Sequence, residues 1–291
     1  DLILEHSPQI DLFDPVAPEA WKQGMAMDAL RPEIRDLNQR ARETARRYID
    51  FLEAGGKPED NTEMQAIVHQ VNQAQDLIKS FVRHRSLELI SAGQKAFVVG
   101  GDHSTPLGLI EALAVLKEPF GILQIDAHAD LRKAYQGFTQ SHASIMYNAL
   151  GLPEIQKVVQ VGVREYCSEE VRLMQEQHKR IQWFTDRDIH HRLFSGESWQ
   201  NICRDIVSGL PQRVYVSFDI DGLDPSLCPH TGTPVPGGLS YHQAIYLLET
   251  LVQSGREIIG ADLVETGPHP LDAIIACRLM YRMAVLMTAT S

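Results

Sequence analysis

From residue 96 onward, short apolar runs alternate with helical stretches, and no two runs are joined by a hairpin turn. The runs occupy 96–100, 120–125, 157–163, 181–184, 213–218 and 257–264, with helical stretches near 105–117, 142–150, 168–179, 198–208, 241–254 and 271–288. Strands of four to eight residues joined by helices predict βαβ units. The fold class is therefore α/β, with a mostly parallel sheet covered on both faces. In such a sheet, ligands gather beyond the carboxyl ends of the strands.

The first ninety residues read differently. Residues 1–30 mix acids and prolines without a clear period and form a loosely packed lead-in. Residues 31–54 open with Pro32 at the second position and stop before Gly55-Gly56, the marks of a helix. Ile34, Leu37, Ala41, Ala45, Tyr48 and Leu52 recur every three or four residues and give that helix an apolar face. A turn at 55–61 leads to a second helix over 62–91. No linker or repeat divides the chain, so residues 1–291 read as one domain: lead-in 1–30, helices 31–91 and an α/β core over 92–291.

Composition narrows the partners. Lys and Arg number 27 against 38 Asp and Glu, a formal charge of −11, which argues against nucleic acid or an anionic membrane and leaves room for a cationic small molecule. The longest apolar runs, such as 97–101 and 284–287, fall far short of the roughly 20 residues that a membrane span needs. The N-terminus shows no basic-then-apolar leader pattern. Cys167, Cys203, Cys228 and Cys277 are scattered, which suggests neither a thiolate zinc site nor a disulfide frame. A soluble, cytoplasmic protein is expected.

Chemistry concentrates where three of the runs end. Val99 is followed by Gly100-Gly101-Asp102-His103-Ser104, Ile125 by Asp126-Ala127-His128-Ala129-Asp130, and Phe218 by Asp219-Ile220-Asp221. Residues i, i+2 and i+4 of an extended chain point to one side. Asp126, His128 and Asp130 would then converge, as would Asp219 and Asp221, with His103 beside them. Four carboxylates packed together repel one another, and buried charge is costly without a partner, so a cation is required. Two divalent metals sharing carboxylates at roughly 3.5 Å suit six ligands better than one does. An oxygen-rich set with imidazole and no thiolate favours Mn²⁺, with Ni, Zn, Fe and Co as alternatives.

The segments GGDHS, DAHAD, SHAS, SFDIDGLDPS, TGTPVPGGLS and VET, in that order over about residues 90–291, resemble the ureohydrolase family of arginases, agmatinases and their relatives. The resemblance implies a three-layer α/β/α sandwich of the arginase type with a binuclear manganese centre. It implies hydrolysis of a guanidino or related C–N bond and assembly as a trimer or hexamer. One metal would be held by His103, Asp126, Asp130 and Asp219. The other would be held by Asp126, His128, Asp219 and Asp221, with Asp126 and Asp219 bridging.

Guanidinium carbon is a poor electrophile, so its hydrolysis needs a strong nucleophile near neutral pH. Metal-bound water with a pKa near 7 would provide one. Asp221 or Asp130 would accept the nucleophile's proton. His142, whose type titrates near pH 7 and which matches the family's catalytic histidine, would relay a proton to the leaving nitrogen. Glu265 would pair with the guanidinium through twin hydrogen bonds. Thr231 and Thr233 would sit near the guanidino nitrogens, and His230 at the mouth.

Recognition of the substrate tail departs from the arginase pattern. Arg132 stands where arginases place an Asn, Cys167 replaces an acid, and Thr266-Gly267-Pro268 replaces the family's usual continuation. Glu169 and Glu170 could meet a cationic tail, whereas Arg132 would welcome a carboxylate. The expectation is an agmatinase-like enzyme; arginase, guanidino-acid, guanidine and formiminoglutamate hydrolysis stay open. A non-catalytic metal-binding scaffold would need neither His142 nor Glu265. A metallophosphoesterase would require a GNHD-like segment, and a nucleotide-binding sheet would require GxGxxG after its first strand. The chain has neither.

Overall fold

A computed structural model describes residues 2–289. Six strands form one sheet: β1 (Phe97–Val99), β2 (Phe120–Ile125), β3 (Ile155–Val161), β4 (Ile181–Phe184), β5 (Arg213–Asp219) and β6 (Glu257–Val264). Their order is β1-β6-β5-β2-β3-β4, and every pairing is parallel. From β2 the chain steps outward to β3, and from β5 it steps the other way to β6. The direction of winding therefore reverses between β5 and β2, where open parallel sheets offer a crevice at their carboxyl ends.

Alternate strand residues face opposite layers. Leu123, Val159, Val216 and Leu263 join one buried cluster, while Ile122, Val158, Tyr215 and Ile259 join another. The first is covered by α7 (Asp186–Phe194), α8 (Trp199–Ser208), α9 (Tyr241–Gln253) and α10 (Pro270–Thr288). The second is covered by α3 (Thr62–Ser91), α4 (Leu107–Ala114), α5 (Ile145–Ala149) and α6 (Ser168–Glu176). The result is three layers, as expected. Helix α3 approaches α4 so closely that a Cβ on Gly108 would meet the Lys79 carbonyl at 2.5 Å.

Helix α2 (Pro32–Glu53) lies against α3, its stripe anchored by Tyr48, which packs edge-on to Phe138 at 5.6 Å. Three differences from the sequence reading stand out. Helix α7 is absent from that reading, because TDRDIHHRLF buries only Ile189 of its residues α7 spans. The stretch 142–150 is split into a 3-10 turn at His142–Ser144 and α5. The lead-in is mostly exposed but not structureless. A short helix, α1 (Leu2–His6), packs on α10, and Arg282 of α10 pairs with Asp14. Among the described residues no helix is long and apolar enough to cross a membrane.

Where β2 and β5 end, the two backbones nearly touch. A Cβ on Gly222 would lie 2.7 Å from the Asp126 amide nitrogen and 2.9 Å from the Ile125 carbonyl carbon. Neither atom can move without moving the strand. Gly222→Ala should therefore destabilise the protein by about 1–3 kcal/mol, as overpacking does. An unchanged urea midpoint would show that this crossing relaxes freely.

Candidate metal centre

Four carboxylates and two imidazoles meet beyond the carboxyl ends of β1, β2 and β5. His103, fully buried in the turn after β1, places Nδ1 2.9 Å from Asp130 Oδ2, 3.0 Å from Asp126 Oδ2 and 3.4 Å from Asp219 Oδ2. His128 Nδ1 lies 3.2 Å from Asp221 Oδ2 and 3.5 Å from Asp126 Oδ1. Asp126 thus stands between the two rings with one oxygen towards each. Two groups of donors result, His103–Asp126–Asp130 and Asp126–His128–Asp221, each with ligand atoms within 4.8 Å of one another. Asp219 touches the first group through Oδ2, and its Oδ1 accepts the Asp221 amide at 3.0 Å.

The convergence does not arise from a continued extended chain. Strand β2 stops at Ile125, Asp126 Oδ1 accepts the His128 amide at 2.6 Å, and Asp130 adopts φ 53°. The Asp130 carbonyl then accepts the Met146 and Tyr147 amides. Asp221 likewise sits in a 3-10 turn, Ile220–Gly222, whose first amides Asp219 helps to satisfy. Tight turns, rather than alternation along a strand, bring these side chains together.

Electrostatics show what the cluster lacks. Burial opposes charge on His103 and His128, yet the surrounding carboxylates outweigh it, raising His103 well above its ordinary value and His128 to about 11. Burial and Asp126 push Asp130 up to about 7, and burial with Asp221 and Asp126 raises Asp219. Burial also opposes charge on Asp126, but the two imidazoles hold it below the usual carboxylate range. By itself the cluster gathers protons to offset its own repulsion. Nevertheless His103 Nδ1, aimed into three carboxylates, makes no hydrogen bond, while its Nε2 lies 2.9 Å from Ser217 Oγ. A ring nitrogen surrounded by carboxylate oxygens and unaligned with any of them suits a shared cation. The donor set therefore fits divalent metal.

Polar side chains that the sequence reading did not place at the site support this cluster. Gln160 Nε2 donates to the Ala129 carbonyl and to Gln124 Oε1, both at 2.6 Å, which turns Gln124 Nε2 onto Asp126 Oδ2 at 2.7 Å. The carbonyl can only accept, so the orientation of both amides follows. Their signal in the sequence is a glutamine inside each of two apolar runs. Asp262 accepts the Tyr215 hydroxyl at 2.7 Å and the Phe218 amide at 3.2 Å. The Arg164 guanidinium gathers the carbonyls of Gly162, Asp221, Leu223 and Val235, tying together the loops after β3 and β5.

Glu265 follows β6 in a left-handed conformation, φ 58°. Its Oε1 accepts the His103 amide at 3.0 Å, and its carbonyl accepts Thr231 Oγ1 at 2.8 Å. Burial and nearby Asp102 push its carboxyl up to about 7. Thr233 Oγ1 is 3.4 Å from Asp221 Oδ2. His142, half-buried, packs edge-on to Tyr135 at 5.5 Å, and burial lowers its pKa.

The remaining residues singled out from sequence fall elsewhere. His230 turns away to Asp272. Glu169 is exposed on the first turn of α6. Glu170 is buried and committed: Oε1 accepts the Leu131 amide at 3.0 Å and Oε2 the Cys167 amide at 2.9 Å. Such a carboxylate is not free to meet a substrate tail. The Arg132 guanidinium stacks 5.3 Å from the Tyr135 ring centre, with Nε 3.8 Å from Glu170 Oε2.

A sequence profile of the arginase family matches residues 21–286. The chain is 38% identical over 190 residues to an N(1)-aminopropylagmatine ureohydrolase from Thermus thermophilus, covering 65% of this chain and 60% of that protein. It is 32% identical over 208 residues to a guanidinobutyrase from Pseudomonas aeruginosa, covering 68% and 62% respectively. The match therefore spans less than two thirds of either relative. The fold is similar to that of proclavaminate amidino hydrolase from Streptomyces clavuligerus, with a TM-score of 0.63, 25% identity and coverage of 76% of this chain and 71% of that one.

If the amide pair orients Asp126 for metal, Gln124→Leu should weaken Mn²⁺ binding about 10- to 100-fold. It should also cost about 1–3 kcal/mol of stability, because a Gln160 donor loses its acceptor. Metal titration and urea denaturation measure the two separately. Full manganese affinity in the variant would remove Gln124 from any role at the centre.

Proposed function

The chain belongs to the arginase family, and on that footing we propose that it is a ureohydrolase using two Mn²⁺ ions to cleave a linear guanidino compound, agmatinase-like in substrate. The reading is carried by the shared position of Asp126 between His103 and His128, with Glu265 one hydrogen bond away at the His103 amide. When bound, divalent metal there would turn water into a strong nucleophile near neutral pH. His103, Asp126, Asp130 and Asp219 would hold one ion, and Asp126, His128, Asp219 and Asp221 the other.

The chain's own groups would do the rest. Glu265 offers carboxylate oxygens to the guanidinium N–H groups, which orients the carbon and excludes water from that side. Thr231 fixes the Glu265 backbone, so the clamp is held from both ends of the loop. Asp130 and Asp221 stand in different donor groups, and one or the other takes up the proton that water gives up and passes it to His142. His142, kept neutral by burial, receives a proton on its imidazole and returns it to the departing amine.

The charge of −11 and the crowded carboxylates support a cationic substrate. The relatives' names point to aminopropylagmatine and guanidinobutyrate. A second reading, a guanidino acid, is favoured by one observation: the Arg132 guanidinium, 39% exposed, stacks on the tyrosine that packs against His142. Free cysteines at 167, 203, 228 and 277 support a reducing, cytoplasmic setting. Phe13, Trp21 and Phe194 leave apolar side chains exposed; self-association as a trimer or hexamer rests on the family resemblance.

Urea and ammonia release should be measured with Mn²⁺ across agmatine, arginine, guanidinobutyrate, guanidine and formiminoglutamate. Turnover of agmatine above the others is expected. Preference for guanidinobutyrate, lost in Arg132→Ala, would establish the second reading, and no turnover of any would leave a metal-binding scaffold. His142→Ala should keep its metal while kcat falls about 100-fold or more. Glu265→Gln retains an oxygen for the His103 amide but loses the carboxylate, so kcat/KM should fall with both metals in place. If kcat/KM is unaltered, the guanidinium is held by another group.

A further inference from the structure

A second cluster of metal-binding side chains lies outside the centre described above. His230, in the loop between β5 and α9, meets His269 and Asp272 at the N-terminus of α10. Asp272 is fully buried, yet both of its oxygens are turned to one residue: Oδ2 accepts the His230 amide at 3.0 Å and Oδ1 lies 2.9 Å from His230 Nδ1. The His269 ring stacks on that of His230, centroids 3.8 Å apart and planes within 17°. One ligand atom from each of the three residues falls within 4.8 Å of the others.

We propose that His230, His269 and Asp272 form a third metal site, selective for a transition-metal dication of the imidazole-binding class. Two nitrogens and one carboxylate make a donor set unlike the carboxylate-rich centre, and such a set suits Zn²⁺, Ni²⁺, Co²⁺ or Cu²⁺ over Mn²⁺. The short Nδ1–Oδ1 contact matches the roughly 3 Å between two ligand atoms of one zinc ion with bonds near 2 Å. On binding, the ion takes the place of the proton shared by His230 and Asp272, and that proton moves to the outward Nε2 of His230. His269 is exposed, and its ring swings out of the stack to aim a lone pair at the same ion. Its Nδ1 now accepts the Leu271 amide, at 3.2 Å.

Occupancy would fasten the 228–233 loop to the start of α10. That loop carries Thr231, whose hydroxyl holds the Glu265 carbonyl. Gly267 is already wedged between the two segments: a Cβ there would lie 2.3 Å from the His230 carbonyl oxygen and 2.5 Å from Asp272 Oδ2. The ion would thus stiffen the frame behind Glu265 without entering the carboxylate centre.

The test is zinc uptake by the manganese-loaded protein in equilibrium dialysis, and it does not depend on the reaction proposed above. The wild type should take up one Zn²⁺ per chain while retaining its manganese, and its thermal midpoint should rise. His269→Asn keeps an N-cap acceptor for α10 but removes the imidazole, so it should fold normally and bind that zinc at least 10-fold more weakly. His230→Ala should lose that zinc as well, with a lower thermal midpoint because Asp272 Oδ1 is left without its partner. With Co²⁺ as the probe, visible absorption bands should appear in the wild type and be absent in both variants. No additional zinc in the wild type, uptake only by displacing manganese, or equal uptake by His269→Asn would overturn the site.

Discussion

The position of Asp126 between two imidazoles is the constraint on which the rest of this structure depends. A fully buried carboxylate with one oxygen towards His103 and the other towards His128 forces two strands and a turn to end at one point. Asp130, Asp219 and Asp221 then add like charge that the two rings cannot balance, so the cluster collects protons or cations. Burying charge without a partner costs far more than a folded protein's margin of stability. Everything around the cluster can be understood as holding the acids together against that cost.

The holding is done by backbone and amide groups rather than by further charge. Asp130 and Glu265 sit at φ 53° and 58°, a conformation uncommon for residues with a side chain and retained only where surroundings enforce it. For Asp130 the enforcement comes from two amides at the start of α5; for Glu265 it comes from the His103 amide, the Thr231 hydroxyl and the Gly101 carbonyl. Gln124 and Gln160 add neutral donors inside the sheet, where another cation would be expensive. Arg164 spends its charge on carbonyls of the loops, away from the acids.

Much of this was legible in the sequence because it rests on local pattern. The six apolar runs match the six strands to within a few residues, since parallel strands buried on both faces need unbroken apolar stretches. DAHAD and DID were legible as segments whose side chains converge, because so many acids with histidine have no cheaper explanation than a shared site. What they could not reveal was the turn geometry: alternation along an extended strand accounts for the convergence on paper, whereas in the structure Asp130 and Asp221 arrive through tight turns. Helix α7 was illegible for the opposite reason, because a short helix with one buried side chain offers few apolar positions to read. Glu170 shows a third kind of limit. Its place next to Glu169 on a helix start suggested a free acid, but its partners, the Leu131 and Cys167 amides, are set by tertiary contacts.

That commitment of Glu170 bears on substrate choice. With Glu170 satisfied by two amides, Arg132 stands over Tyr135, anchored by its ring stacking and only loosely by Glu170 at 3.8 Å. Tyr135 in turn packs against His142, so Arg132, proposed above as a partner for a carboxylate tail, and the proposed proton carrier share one aromatic ring. A substrate tail that pulled Arg132 off Tyr135 would loosen the packing of His142, whereas one that left the stack intact would not. On the proposed function, selection among guanidino compounds would therefore act partly through the catalytic step itself, and the tail would be felt in turnover as well as in binding.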